Sequence, residues 1–366
     1  MRALAVSLAL LCALTPATVR AEQEPQPQPA QQPEPEPSVW ATGAALVPGV
    51  LLHGSGAFVT GDRRSAKVLV ATQWIGFATM FVATGALAVS GASRKLVPAL
   101  GPFIVTGFAA FNLPWLADIY AASTGGRLAR APLSPAQGEW AFSYRHIHDP
   151  QFDYRNFVHG EANLWLGMLR ATPSAWFALD DSNQRLRVEL APRILGSTPG
   201  ERARDGSFFE PGGALTYHRY GDEGFAVWTG ELSLDVRYDL ARVGPSLRGS
   251  FVEASLGAGL EMYDFDVQGA RLRDDLSAVG LARFAFGVYL GDRLRGGELT
   301  LYYDHRHDDY AAGLGTEGVG GGFLGHVGTE GFYYVSREWG VSWGFEVGSA
   351  YIGWLGLRQR WGVDDA

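Results

Sequence analysis

One cysteine, Cys12, serves all 366 residues, and it falls inside an N-terminal segment that reads as a secretory leader. Met1-Arg2 precedes an apolar run from Ala3 to Leu14, followed by Pro16 and a Val19-Arg20-Ala21 ending. This is the layout of a signal peptide, residues 1–21, removed after a small residue. Leu11 stands before Cys12 where a lipid anchor wants a small side chain. The mature chain is therefore expected to hold neither disulfide nor thiol chemistry. A basic excess is missing as well: the formal charge is −8, and it becomes −10 when Arg2 and Arg20 leave. That balance argues against nucleic acid as a partner. No lysine or helix start follows Gly320-Gly321-Gly322, so there is no phosphate-binding loop and no cofactor is expected.

What is present divides into three regions. Residues 22–37 are almost wholly Pro, Gln and Glu; they have nothing with which to build a core and read as a disordered, extended periplasmic linker. Residues 38–130 read as an apolar helical hairpin. Val68–Ser93 and Leu96–Ala117 carry no charge, and Arg94-Lys95 lies between them. Each run is long enough for a helix to span a bilayer, which takes about 20 residues. Gln73, Asn112, Pro98, Pro102 and Pro114 interrupt them. Val47-Pro48-Gly49, His53-Gly54-Ser55-Gly56 and Thr60-Gly61-Asp62 come first, and they resemble the openings of small TM2-like membrane hairpins. The likeness covers about 70 residues, Val47 to Ala117, and lacks the tyrosine that often follows such a glycine turn. The helices suit packing on each other and a periplasmic mouth, lying in the periplasmic leaflet, or anchoring a soluble β-domain in the inner membrane. The first two together are expected: a compact hairpin on the periplasmic side.

From Trp140 on, apolar and polar residues alternate. Between Phe225 and Leu240 one face carries Trp228, Gly230, Leu232, Leu234, Val236, Tyr238 and Leu240, and the other Thr229, Glu231, Ser233, Asp235, Arg237 and Asp239. A period of two marks a strand between two environments. Trp228 and Tyr238 bracket the apolar face; at about 3.3 Å per residue and a tilt of about 40° they stand roughly 25 Å apart along a membrane normal, as two interfacial girdles require. The charges in register on the other face suit a lumen better than a soluble surface. Twelve strands are expected near 139–148, 155–170, 174–180, 185–195, 212–220, 225–240, 249–264, 277–290, 297–306, 321–335, 339–349 and 352–361, with ten as the alternative. The Gly196–Pro211 segment is too long for a periplasmic turn. The pattern resembles Gram-negative outer-membrane β-barrels, and the last strand, ending in Trp361, resembles the aromatic-terminated strand read by barrel assembly machinery. The fold class is thus an all-β transmembrane antiparallel barrel, residues 139–361, preceded by an α-helical hairpin.

The expected lumen-lining residues are His159, Glu161, Arg185, Arg187, Glu189, Glu231, Asp235, Arg237, Glu253, Glu261, Arg283 and Glu298. Arg145-His146-Ile147-His148-Asp149 and Asp304-His305-Arg306-His307-Asp308-Asp309 place histidines two apart, one side of a strand each. Such pairs chelate cations, but interfacial histidines facing lipopolysaccharide are the favoured reading. A hydrolase would draw on His159, Glu161 and Asn163 with Ser143, Ser233 or Ser255, because a serine needs a base and an orienting group; no barrel-esterase motif accompanies them, and a lumen ion-pair network is favoured. A narrow or gated outer-membrane channel is expected, the alternative being a structural or docking component of an envelope complex with a plugged lumen. A barrel lipid hydrolase ranks last. The expected partners are outer-membrane lipid and lipopolysaccharide, the assembly machinery, and a periplasmic protein at the hairpin.

Overall fold

The computed structural model describes residues 37–363 except 92, 94, 126–130, 149–154, 202–204, 221–224, 268–269, 274–276, 306–324 and 349. The leader and nearly all of the Pro/Gln/Glu-rich linker lie outside the described residues. The alternating half forms strands β1 (Gly138–His148), β2 (Asn156–Leu166), β3 (Leu169–Ala178), β4 (Gln184–Pro192), β5 (Phe208–Tyr220), β6 (Phe225–Asp239), β7 (Ser250–Val267), β8 (Ala270–Arg273), β9 (Ser277–Gly291), β10 (Gly296–Asp304), β11 (His326–Tyr334), β12 (Trp339–Val347) and β13 (Tyr351–Trp361). Neighbours pair antiparallel, β8 is a short arm on the far end of β7, and β1 closes the sheet on β13. The result is a closed 12-strand barrel, which leaves no open sheet edge to lipid.

Two expected boundaries move. The segment near 155–170 is not one strand: Gly167, at φ 64°, turns the chain, so β3 begins at Leu169 and runs 10 residues. β5 begins at Phe208, which absorbs part of the long Gly196–Pro211 segment. Residues 205–207 are tied to the end of the barrel where the β-domain begins and ends, which is the periplasmic end under the topology expected from the sequence. Gly206 N–H donates to Asp239 Oδ2 at 3.2 Å, Asp239 N–H donates to Ser207 Oγ at 3.0 Å, and Arg242 pairs with Asp205 at 2.7 Å. Burial pushes the Asp205 carboxyl up, but Arg242 and Ser207 together hold it below its ordinary range. The tie stays charged at neutral pH.

Contacts between non-adjacent strands identify the inner face. Arg237 on β6 reaches Glu298 on β10 at 2.7 Å, and Arg170 on β3 reaches Glu210 on β5 at 3.0 Å. The opposite parity points outward. There Trp228 and Tyr238 are each 40% exposed and flank Leu232 at 73%, while Trp140 meets Trp339 edge-on at 5.9 Å near the periplasmic end. Aromatics at both ends of an apolar band are a membrane girdle. Leu232→Arg is expected to cost about 2–4 kcal/mol, the range for a cation at the bilayer midplane; Leu232→Ala should be far milder. Denaturant unfolding of the refolded barrel in lipid measures both, and equal damage from the two would mean that position 232 does not face lipid.

Among the described residues four α-helices precede the barrel: α1 (Val39–Leu46), α2 (Ser55–Val59), α3 (Arg63–Val89) and α4 (Val97–Thr124). Asp62 caps α3 by accepting Ser65 N–H at 3.0 Å. The long helices touch backbone to backbone where Gly76 meets Gly107: a Cβ on Gly76 would stand 2.5 Å from Phe111 N, and one on Gly107 2.5 Å from Met80 N. Small residues permit that approach, and in lipid close packing is what holds helices together.

The base of the hairpin sits at the periplasmic rim, where Ser246 Oγ donates to Asp62 Oδ2 at 2.7 Å and Leu69, Ala117 and Ala121 pack with Leu240 and Leu247. Its shafts do not stay there. α4 lies along the outward face of the barrel: Ala109 packs on Ala282 and Phe284, with Val105 and Leu113 beside Ala254 and Leu256. Tyr120 meets Phe286 edge-on at 6.1 Å, and Phe108 approaches Tyr303 at 6.3 Å. This corrects the expectation of a hairpin confined to the periplasmic side. The outer wall here carries small Ala254 and Ala282, and the helix fits against them by shape as readily as it would against another helix. The 27 residues of α3 extend about 40 Å at 1.5 Å per residue, more than a hydrocarbon core of about 30 Å. Its far side leaves Trp74, Ile75, Phe81 and Val82 more than half exposed.

A polar cluster locks α2 and the turn before it to this hairpin. Asp118 on α4 is fully buried and accepts N–H bonds from Gly54, Gly56 and Ala57 at 2.8–3.0 Å. Gln73 on α3 accepts His53 N–H at 2.9 Å and donates to Leu51 O at 2.8 Å. Burial holds the His53 ring below its ordinary pKa of 6.5, outweighing a bond to Val50. Its native state is thus neutral, and stability present above pH 6.5 is lost as pH falls below that value towards the folded pKa. The protection of the 51–57 amides, taken relative to their intrinsic exchange rate at each pH, should therefore fall between pH 7.5 and pH 5.5, and His53→Gln should flatten the difference. An unchanged profile in the variant would place the pH response elsewhere.

Candidate lumen site

The polar parity of each strand points to the barrel axis, and its charges meet in pairs. Arg187 on β4 bonds Glu231 on β6 at 2.8 Å and Glu189 on its own strand at 3.3 Å. Arg237 bonds Glu253 at 2.6 Å and forks onto both oxygens of Glu298 at 2.7 and 2.8 Å. Arg283 pairs with Glu330. Asp235 accepts from Ser233 at 3.1 Å, and Glu261, nearer the extracellular end, accepts from Tyr263 at 2.7 Å. His159, Glu161, Arg185 and Arg187 line one cavity. All the candidate residues thus lie on the inner face, but in separate layers.

The periplasmic layer contains groups that the alternation did not single out. Glu210, 1% exposed, receives Arg170 at 3.0 Å and Arg193 at 2.5 Å, and Glu139 pairs with Arg358. Aromatic rings fill the space between these ions. Arg237 lies 3.9 Å over Phe251, Arg358 4.4 Å over Phe332, Arg360 4.1 Å over Tyr334, and Arg193 4.7 Å over Phe208. Tyr289, Tyr334 and Phe251 are buried to 1% exposure or less. A guanidinium stacks on a ring while its edge bonds carboxylates, so one side chain serves ion pair and packing together. The only clue in the sequence is an aromatic on the polar parity, as in the Phe251-Val252 pair.

Towards the extracellular end the lumen opens into a cavity of about 190 Å³ lined by Arg145, His159, Glu161, Ser174, Trp176, Arg185, Arg187 and Asp304. Arg145 lies 4.1 Å over the Trp176 ring. Three arginines and two carboxylates line it, and Arg187 is already paired with Glu231 and Glu189. Beside it Ile147, Phe157, Ala350 and Ile352 form a small apolar cluster with Trp176.

Ser143 Oγ and His159 Nδ1 stand 3.3 Å apart, which brings together the serine and base considered for hydrolysis. Arg145 Nη2 lies 3.1 Å from the same Nδ1. An arginine can only donate, so it occupies the lone pair that a general base needs for the serine proton. Asn163 bonds Glu161 at 3.2 Å and Thr172 at 2.9 Å, and Ser233 serves Asp235. The set is arranged as a hydrogen-bond network. Of the histidine clusters, His146 bonds Asn156 at 3.1 Å and His148 stacks on Tyr351; Asp149 and residues 306–309 lie outside the described residues. Among the described residues no three His, Cys, Asp or Glu side chains gather as a metal site.

No family model matches this chain, and no curated protein does. Solved structures do resemble it in fold. The NanC porin is 10% identical, covering 61% of this chain and 99% of that one, with a TM-score of 0.37. An outer membrane channel from Pseudomonas putida F1 is 11% identical over 64% and 98%, with a TM-score of 0.37. The translocator domain of the autotransporter NalP from Neisseria meningitidis is 11% identical over 61% and 88%, with a TM-score of 0.33.

Proposed function

We propose that the protein is an outer-membrane barrel that passes small solutes through a narrow lumen closed at rest near its periplasmic end. The observation that carries this reading is the division of the lumen into an open polar cavity above and a packed Arg–aromatic layer below. A packed layer of side chains, unlike a folded plug, opens by rotamer changes. Charged rings along such a path select by sign, and Arg145, Arg185, Glu161 and Asp304 are charges that a solute meets in the cavity. Aromatic-ended β13 suits recognition by barrel assembly machinery, and the outer girdle suits lipid and lipopolysaccharide.

Purified protein in planar bilayers is expected to give small, infrequent openings whose reversal potential in a salt gradient is set at the cavity. Arg145→Gln should shift that potential towards the cation side. A reversal potential unaffected by the substitution would sink the assignment of selectivity to the cavity. A second reading, a docking component with a sealed lumen, is favoured by the exposed Trp74, Ile75, Phe81 and Val82 on α3; complete electrical silence would favour it.

A further inference from the structure

A groove of about 500 Å³ runs between α2 and the first turns of α3, within the size range of small-molecule sites. Its lining is almost wholly apolar, with Pro48, Leu52, Phe58, Val59 and Val70 along it. Two cations break that character, Arg63 and Lys67. They are one helical turn apart and so share a face of α3. Among the described residues neither has an ion-pair partner. The nearest acid in sequence, Asp62, is turned to Ser65 and Ser246 instead.

The height of the groove is set by the same contact. Ser246 lies in the β6–β7 connection, at the end of the barrel where the β-domain begins and ends, and on the outer-membrane reading proposed above this puts Arg63 and Lys67 at the level of the periplasmic leaflet headgroups. The surrounding surface suits that level, because Leu51, Phe58 and Val59 are 81%, 65% and 51% exposed. An apolar trough with cations at its edge, opening at an interface, matches a molecule with an anionic head and a hydrocarbon tail.

We propose that this groove binds an anionic glycerophospholipid of the periplasmic leaflet, with one acyl chain along Pro48, Leu52, Phe58 and Val70 and the phosphate between Arg63 and Lys67. The lipid would bridge α2 and α3 and so fasten the N-terminal helices where the hairpin meets the barrel.

The full chain, purified in a phosphate-free detergent, would be titrated with dioleoylphosphatidylglycerol and followed by native mass spectrometry. One tightly held lipid is expected on the wild type. The double variant Arg63→Gln/Lys67→Gln should weaken it about tenfold or more, and Ala71→Trp, which places bulk in the groove from an exposed position, should do the same. The shift of the barrel band between unheated and heated samples serves as the folding control. Dioleoylglycerol, which lacks the phosphate, should bind at least tenfold more weakly, and inorganic phosphate should not displace the lipid. Equal lipid retention in wild type and both variants would overturn the site. Equal binding of dioleoylglycerol would remove the role of the two cations, and competition by inorganic phosphate would make it a simple anion site.

Discussion

Arg237→Ala is expected to destabilise the barrel by about 3–5 kcal/mol, the range for removing one partner of a buried ion pair. Its guanidinium serves Glu253 and Glu298 while lying over Phe251, and its side chain is 15% exposed. Without it Glu298 loses its bonded cation and Glu253 keeps only the attraction of Arg283, in a crowded layer. Arg237→Lys should fall between, because an ammonium keeps the charge but loses the fork and the stacking plane. Arg242→Ala provides the contrast: its pair with Asp205 is 52% exposed on the arginine side, so a loss of about 0–1 kcal/mol is expected. Urea unfolding of the three variants in lipid would order them, and Arg242→Ala as damaging as Arg237→Ala would contradict a lumen held by buried pairs.

Asp118→Ala acts on the other half of the molecule. Three backbone N–H groups lose their acceptor at a site of 0% exposure. Bonds to a charged group contribute about 1.5–3 kcal/mol each and are not additive, so a local loss of about 3–5 kcal/mol is expected. The effect should stay local, because the strands close on one another without α2. Proteolysis or exchange at residues 50–62 should rise sharply while the heat shift of the barrel on a gel stays unchanged. A barrel that unfolds with the helices would mean that the hairpin is part of the barrel's own fold. Asp118→Asn, which retains one acceptor oxygen, should be milder.

These two residues also show what was legible in the sequence. Arg237 stands on a strand whose period of two is unbroken from Trp228 to Asp239, so its inward orientation follows from parity. Its partner on β10, 61 residues away, does not, because a strand pattern says which face a charge takes and nothing about which strands curl close. Asp118 was hidden differently. It directly follows the uncharged run ending at Ala117 and looks like the polar end of a span, whereas it is the buried acceptor for a glycine turn 61 to 64 residues earlier.

The same limit explains the remaining misses. Phe251, Tyr289 and Tyr334 break alternation on the polar face, and a period of two cannot separate an aromatic filling a lumen from noise. The placement of α4 was hidden because lipid and the barrel's outer wall are equally apolar; composition satisfies either, and only the fit of Ala109 to Ala282 and Phe284 decides. The sequence does not mark Gly167 as a turn, because a lone glycine inside a strand pattern also reads as a bulge.

If the lumen is closed only by side chains at its periplasmic end, removing them should open it without disturbing the wall. Single-channel recording of the full chain beside Phe251→Ala/Tyr289→Ala tests this, since both rings are almost fully buried and neither faces lipid. The wild type is expected to show small, rare openings and the double variant a conductance several-fold higher, with the unheated gel band of a folded barrel retained. Equal silence from both, in protein that is folded and inserted, would contradict a solute path through this lumen.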